Sequence, residues 1–213
     1  MTIAIEPHPT LSRVYHNFVG MGDSITQGIC DPVAGLKTLG WADRLAQALR
    51  QLDPDLTYTN LGERGLASDL VLAIQLPRAL EIKPDLVCMM VGGNNALRKT
   101  YKSELFEADF SHMLEELAEL GATLVTGTIP DFSSFMPINP NRQALVSSNL
   151  AQVNEIITQV SAAYGALCVD FSTHPLGLDR TFWSEDGHHP NAHGYLMMAR
   201  EIALALQTVT PIS

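Results

Sequence analysis

The feature that most limits the fold is Leu86-Val-Cys-Met-Met-Val91, six apolar residues with no polar alternation. A strand with one solvated face alternates in polarity. An unbroken run marks a strand covered on both faces, the condition of a parallel sheet between helices. Strand-like and helix-like segments alternate around it. Residues 16–28 read as a strand (Phe18, Val19, Met21) entering a glycine-flanked turn at Ser24. Trp41, Leu45, Ala48 and Leu49 mark a helix that stops at Asp53-Pro54. A strand is predicted over 57–61, and a helix over 66–80 from the spacing of Leu70, Ile74 and Leu80, with Pro77 breaking or kinking it. Further helices are expected over 103–120, ending at Gly121, over 143–164, and over 191–207 with Asn191 as N-cap. Strands fall at 123–128 and 166–171, and residues 132–141 read as an irregular loop. With no internal repeat or linker, the pattern predicts one α/β domain over 1–213, five parallel strands joined by right-handed crossovers. A flavodoxin-like strand order fits. Residues 1–14 read as a polar lead-in lying across the domain.

Composition excludes several classes of function. A net charge of −10 without a basic cluster argues against binding nucleic acid or an anionic membrane. Cys30, Cys88 and Cys168 show neither disulfide nor zinc spacing. The N-terminus has no secretory pattern, and no apolar run approaches the ~20 residues that span a bilayer. A soluble, cytoplasmic protein is expected, with no stable membrane insertion. Leu196, Met197 and Met198 on the last helix fit a core or an interface, with the core preferred, and the oligomeric state stays open.

Ser24 falls at the carboxyl end of the first strand, where open parallel sheets bind ligands. As a nucleophile it needs a base and a carboxylate to orient that base. A strand-to-helix turn whose serine only bonds the next amide would account for the same stretch. Asp186-Gly-His-His-Pro-Asn191 offers the partners: Asp186 can accept from one ring nitrogen of His189 while the other faces Ser24. His188 is the rival base, since adjacent residues point differently. His188, His189 and His193 could instead hold a metal, but Pro190 and the N-cap Asn191 put His189 before the helix, so no metal is assigned. Oxyanion donors can come from Asn60-Leu-Gly-Glu-Arg-Gly65 and Gly92-Gly-Asn-Asn95, both at strand ends.

Together these four blocks resemble the SGNH hydrolase superfamily, the GDSL-type esterases and lipases. Gly22-Asp-Ser-Ile-Thr26, Asn60…Gly65, Gly92-Gly-Asn-Asn95 and Asp186-Gly-His-His-Pro occur in the family's order. The resemblance implies a flavodoxin-like three-layer α/β/α sandwich with a five-stranded parallel sheet, and no cofactor. It implies Ser24 as nucleophile, His189 rather than His188 as base, and Asp186 as its partner. Ser24 N–H, Gly65 N–H and the Asn94 side chain would form the oxyanion hole. Asn95 departs from the family's usual Asp. It matters little if that position caps a helix or ties a loop, and alters activity if its charge tunes the site. Arg64 would bind an anionic part of a substrate or form an ion pair. Residues 29–39 and 132–138, with Phe132 and Phe135, are expected to line a pocket for a short or medium acyl group. The implied function is a serine esterase acting on small-molecule esters. A carbohydrate O-deacetylase or an acyltransferase would use the same triad, and a catalytically idle binding domain is disfavoured by the presence of Ser, Asp and His together.

Overall fold

A computed structural model describes residues 13–209; all but two residues of the expected lead-in lie outside the described residues. Five strands, β1 (Asn17–Gly22), β2 (Thr57–Asn60), β3 (Leu86–Met90), β4 (Thr123–Gly127) and β5 (Leu167–Val169), form one sheet in the order β2-β1-β3-β4-β5. All four pairings are parallel, with Phe18 opposite Leu86 and Gly22 opposite Met90 between the central strands. The chain leaves β1 toward one edge and returns on the other side of it, so the crevice between the carboxyl ends of β1 and β3 is the switch point.

The apolar run of β3 has a simple cause in the period of two. Val87 and Met89, with Val19 and Met21 of β1, face a core that includes Phe106, Phe110, Leu150 and Val153. Leu86, Cys88 and Met90, with Phe18, face a second core built on Trp41, Leu45, Tyr195 and Ile202. The first is covered by α6 (Ser103–Glu119) and α7 (Pro140–Ala163), the second by α2 (Trp41–Leu49) and α8 (Ala192–Leu206). Shorter helices complete the set: α1 (Ser24–Gln27), α3 (Ser68–Leu70), α4 (Leu76–Ile82) and α5 (Gly93–Leu97). The result is the expected three-layer α/β/α sandwich. All three cysteines are free, and no helix among the described residues is long and apolar enough to cross a membrane.

Two expected elements differ. The loop placed at 132–141 is interrupted by a 3-10 turn at Ser133–Phe135 and ends early, because Pro140 opens α7. A proline at the first helical position gives up an N–H that had no partner there, and Asn139 caps the helix by accepting from Arg142 N. The segment at 66–80 is helical as its spacing predicts, but of the three residues that mark it only Leu80 packs against the core. Leu70 and Ile74 are 39% and 43% exposed, whereas Val71, Gln75, Leu76 and Ala79 are buried. A π turn at Val71–Gln75 precedes Pro77 and widens the helix where the proline lacks a donor and needs room for its ring.

Candidate active site

β1 ends at Gly22, whose φ of 139° and tight packing exclude a side chain: a Cβ there would stand 2.0 Å from Met90 O. The chain then turns into α1. Asp23 is its N-cap, accepting from Ile25 N at 2.9 Å, and Gly28 closes the helix at φ 87°. Ser24 is the first helical residue, so its N–H has no carbonyl one turn back to bond. Thr26 Oγ1 donates to Met21 O, and Asn60 Nδ2 donates to Thr26 O, fastening the turn to both β1 and the end of β2.

The partner loop lies between β5 and α8. Asn191 caps α8 by accepting from His193 N and Gly194 N, and its amide holds Thr181 O and Trp183 O. Just before it, Asp186 Oδ1 accepts from the backbone N–H of His188 and of His189, both at 3.0 Å. Its other oxygen lies 2.6 Å from His189 Nδ1, and His189 Nε2 lies 2.7 Å from Ser24 Oγ. With the carboxylate accepting from Nδ1–H, Nε2 is left to accept the serine hydroxyl proton. His189 is 2% exposed and Ser24 7%, so the bond between them is shielded from bulk water, while the Asp186 side chain is 40% exposed. Burial pushes Asp186 up, but the bonds from the His189 ring and the two backbone N–H groups outweigh it and hold its carboxyl at about 2. Burial lowers the pKa of His189, against the opposing pull of Asp186, so the ring is a neutral base at neutral pH.

His188 does not reach the serine. It packs on His189 at a centroid distance of 4.2 Å, with Nδ1 turned to Asp186. His193 is further removed, its ring 4.4 Å from that of Phe182. Among the described residues, Asp186, His188 and His189 are the trio whose ligand atoms, within 4.8 Å of one another, could hold a metal ion. The bonds Asp186 already makes, above all to His189, mean that an ion there would compete with the Ser24–His189–Asp186 chain.

On the other side of Ser24, Asn94 Nδ2 donates to Asp23 Oδ2 at 3.0 Å and to Leu66 O at 2.9 Å. The second bond ties the Asn94 loop to the loop of Gly65, which has φ 83° and nothing within 4 Å of where a Cβ would stand. Asp23 is 4% exposed, and burial raises its carboxyl to about 7 despite hydrogen bonds that oppose the shift. Asn95 points away from the site. Its Oδ1 accepts from Ser68 N and its Nδ2 donates to Ser68 Oγ, which donates on to Asp109. The position therefore ties a loop, and its amide supplies a donor that an Asp would lack.

An apolar cavity opens beside Ser24 and His189 and runs between the carboxyl ends of β3 and β4 and helix α8. Met90, Val91, Ile129, Phe132, Phe171 and Met198 supply much of its wall. Phe132 lies where the sequence puts it. Phe135 does not line the cavity; it packs behind Trp183, 5.8 Å between rings, and Trp183 is the lining residue. Residues 29–39 do not line it either. Their contribution is Asp31, which accepts from Glu185 N and donates its own N–H to Ser184 Oγ, bracing the histidine loop. Arg64 is exposed, stands outside the cavity and has no ion pair among the described residues, although its charge helps lower the pKa of His189. Sequence reasoning missed Asp23, Met90, Phe171, Trp183 and Met198 as residues that line the cavity. Asp23 had a signal in its place beside Ser24; the others come from segments whose local pattern reports only burial.

The GDSL-like lipase/acylhydrolase family model matches residues 21–197. No curated protein sequence matches the chain. Among solved structures, TesA is 23% identical with a TM-score of 0.72, over 90% of this chain and 98% of that one. The lipase/acylhydrolase from Enterococcus faecalis is 20% identical with a TM-score of 0.71, over 90% and 95%. Axe2, an acetylxylan esterase from Geobacillus stearothermophilus, is 18% identical with a TM-score of 0.70, over 93% and 97%. At these identities the likeness is one of fold. The family match, which runs from the end of β1 into α8 and spans every block described above, makes this chain a member of the GDSL-like lipase/acylhydrolase family and an ester hydrolase of that type.

Proposed function

We propose that the protein is a serine esterase that cleaves carboxylic esters of short to medium acyl chains through an acyl-enzyme. The observation that carries this reading is the relay from Ser24 Oγ to His189 Nε2 and from His189 Nδ1 to Asp186, at 2.7 Å and 2.6 Å, with Ser24 and His189 lining an apolar cavity. Ser24 attacks the ester carbonyl as His189 takes its proton. Asp186 holds the ring in the tautomer that can accept it and stabilises the imidazolium that forms. The oxyanion is met by Ser24 N–H, Gly65 N–H and the Asn94 amide. In the resting site that amide bonds Asp23 and Leu66 O. An oxyanion carries more charge than a carboxyl near neutrality and draws the amide toward itself. His189 then protonates the leaving alcohol, and a water activated by the same ring releases the acid.

The cavity wall is almost wholly apolar, which suits an acyl chain better than a sugar ring and supports its use for the acyl chain. Hydrolysis of p-nitrophenyl esters from acetate to decanoate by the wild type and Ser24→Ala tests the reading. Activity that peaks above acetate and falls by about 10⁴-fold or more in the variant is expected. Equal rates in both proteins remove Ser24 from the mechanism, and an optimum at acetate removes the acyl-chain assignment.

A further inference from the structure

Gln75 is among the buried polar side chains that the mechanism above does not use. Gln75 is 1% exposed and closes the π turn before Pro77. Its amide makes two bonds to a single residue: Gly22 N donates to Oε1 and Nε2 donates to Gly22 O, both at 2.8 Å.

Gly22 is the last residue of β1, two positions before Ser24. Pairing between β1 and β2 ends at Gly20 and Asn60, with Leu61 N reaching Gly20 O at 2.8 Å. Beyond that the β2 chain turns off toward the Gly65 loop. Glu63 N reaches Gly22 O at 3.2 Å, and the chain offers no acceptor for Gly22 N. The N–H and C=O of one residue in a strand point the same way, so both groups of Gly22 face the place that β2 has left. A buried, unpaired N–H is costly. The side-chain amide of Gln75 carries the donor and acceptor of a peptide group and stands in for the missing strand. Without the widened turn, the residue at this position would be rotated off the inner face.

We propose that Gln75 is a positioning residue for the nucleophile, resting on the esterase reading above. Its clamp fixes the peptide groups on which the Asp23–Ser24 turn is built. It thereby holds Ser24 Oγ against His189 and Ser24 N–H toward the oxyanion. Asn60 and Asn94 secure the same turn from within the blocks that carry the chemistry; Gln75 does so from outside them.

The test uses Gln75→Met, which keeps length and loses both bonds, and Gln75→Glu. A buried glutamic acid has an acceptor and a donor when protonated and loses the donor when ionised. For Gln75→Met, assayed well below its melting temperature, kcat on p-nitrophenyl butyrate is expected to fall about 10- to 100-fold, with KM within about twofold. The rate at which a fluorophosphonate labels Ser24 is expected to fall in parallel. For Gln75→Glu, kcat relative to wild type is expected to recover as pH is lowered from about 8 to about 6. A merely structural role moves neither the labelling rate nor that ratio. Rates within about twofold of wild type in a folded Gln75→Met, or a change confined to KM, overturn the proposal and leave the esterase reading standing. If Gln75→Met does not fold, a flat Gln75→Glu ratio overturns it. Failure of the probe to label the wild type overturns both.

Discussion

The two halves of the site are built in opposite ways. The His189 half closes on itself: Asp186 accepts from the backbone of His188 and His189 and from the His189 ring, all within four residues. The Ser24 half is held from a distance. Asn60, Gln75 and Asn94 fasten the β1–α1 turn across 34, 53 and 71 residues of chain. A hydrogen-bonded turn can be read from neighbouring residue types. A turn clamped by amides from three other segments depends on their packing.

Severing the link between the halves has the largest effect. His189→Ala is expected to lower kcat on p-nitrophenyl butyrate by about 10⁴- to 10⁶-fold, with little change in melting temperature. Asp186→Asn keeps the geometry and leaves the ring free to take the wrong tautomer, for a loss of about 10³- to 10⁴-fold in kcat. The wild-type kcat/KM should fall on the acid side only below the ordinary histidine pKa of 6.5, because burial lowers that of His189. A loss that begins well above that value contradicts the neutral-base assignment. On the Ser24 half, Asn94→Ala is expected to cost about 10²- to 10³-fold in kcat through loss of one proposed oxyanion donor.

Smaller effects separate charge from scaffolding. Asp23 is raised from 3.8 to about 7 in the fold, so between those values the folded state binds a proton that the unfolded state has lost. Stability therefore falls as pH rises through this window, and the penalty is complete above about 7. Asp23→Asn removes that dependence. Its stability relative to wild type should improve between about pH 4 and about pH 8, by on the order of 2–4 kcal/mol in denaturant titrations. No change in the difference would mean that Asp23 stays ionised throughout. The smallest change in rate is expected from Asn95→Asp. It loses the donor to Ser68 Oγ and sets a second carboxylate near Asp109. A stability loss of about 1–2 kcal/mol is expected, with kcat within about twofold. A large drop in kcat would return position 95 to the catalytic site.

The same contrast explains what could be read in advance. The DxxH turn, the serine after a glycine-ended strand and the cap at Asn191 depend on neighbours in sequence. The spacing of Leu70, Ile74 and Leu80 marks the helix at 66–80 but carries no sign of the π turn that Pro77 follows, nor of the part Gln75 plays in it. The apolar content of residues 29–39 and of Phe135 points to a pocket wall that they do not form. Instead, Asp31 braces the histidine loop and Phe135 supports Trp183.

By itself, the sequence determined the layer order and the parallel sheet, because an unalternating run such as Leu86–Val91 must be covered on both faces. It also determined the chemistry on offer, since a serine, two histidines and an aspartate stand at strand and helix ends in the order of a known family. The tertiary structure decided where the Asn94 amide is spent, which residues wall the cavity, and that a glutamine completes the end of β1. Those outcomes turn on hydrogen-bond partners and a cavity between β3, β4 and α8. Both arise when segments distant along the chain pack together, and no local pattern encodes them.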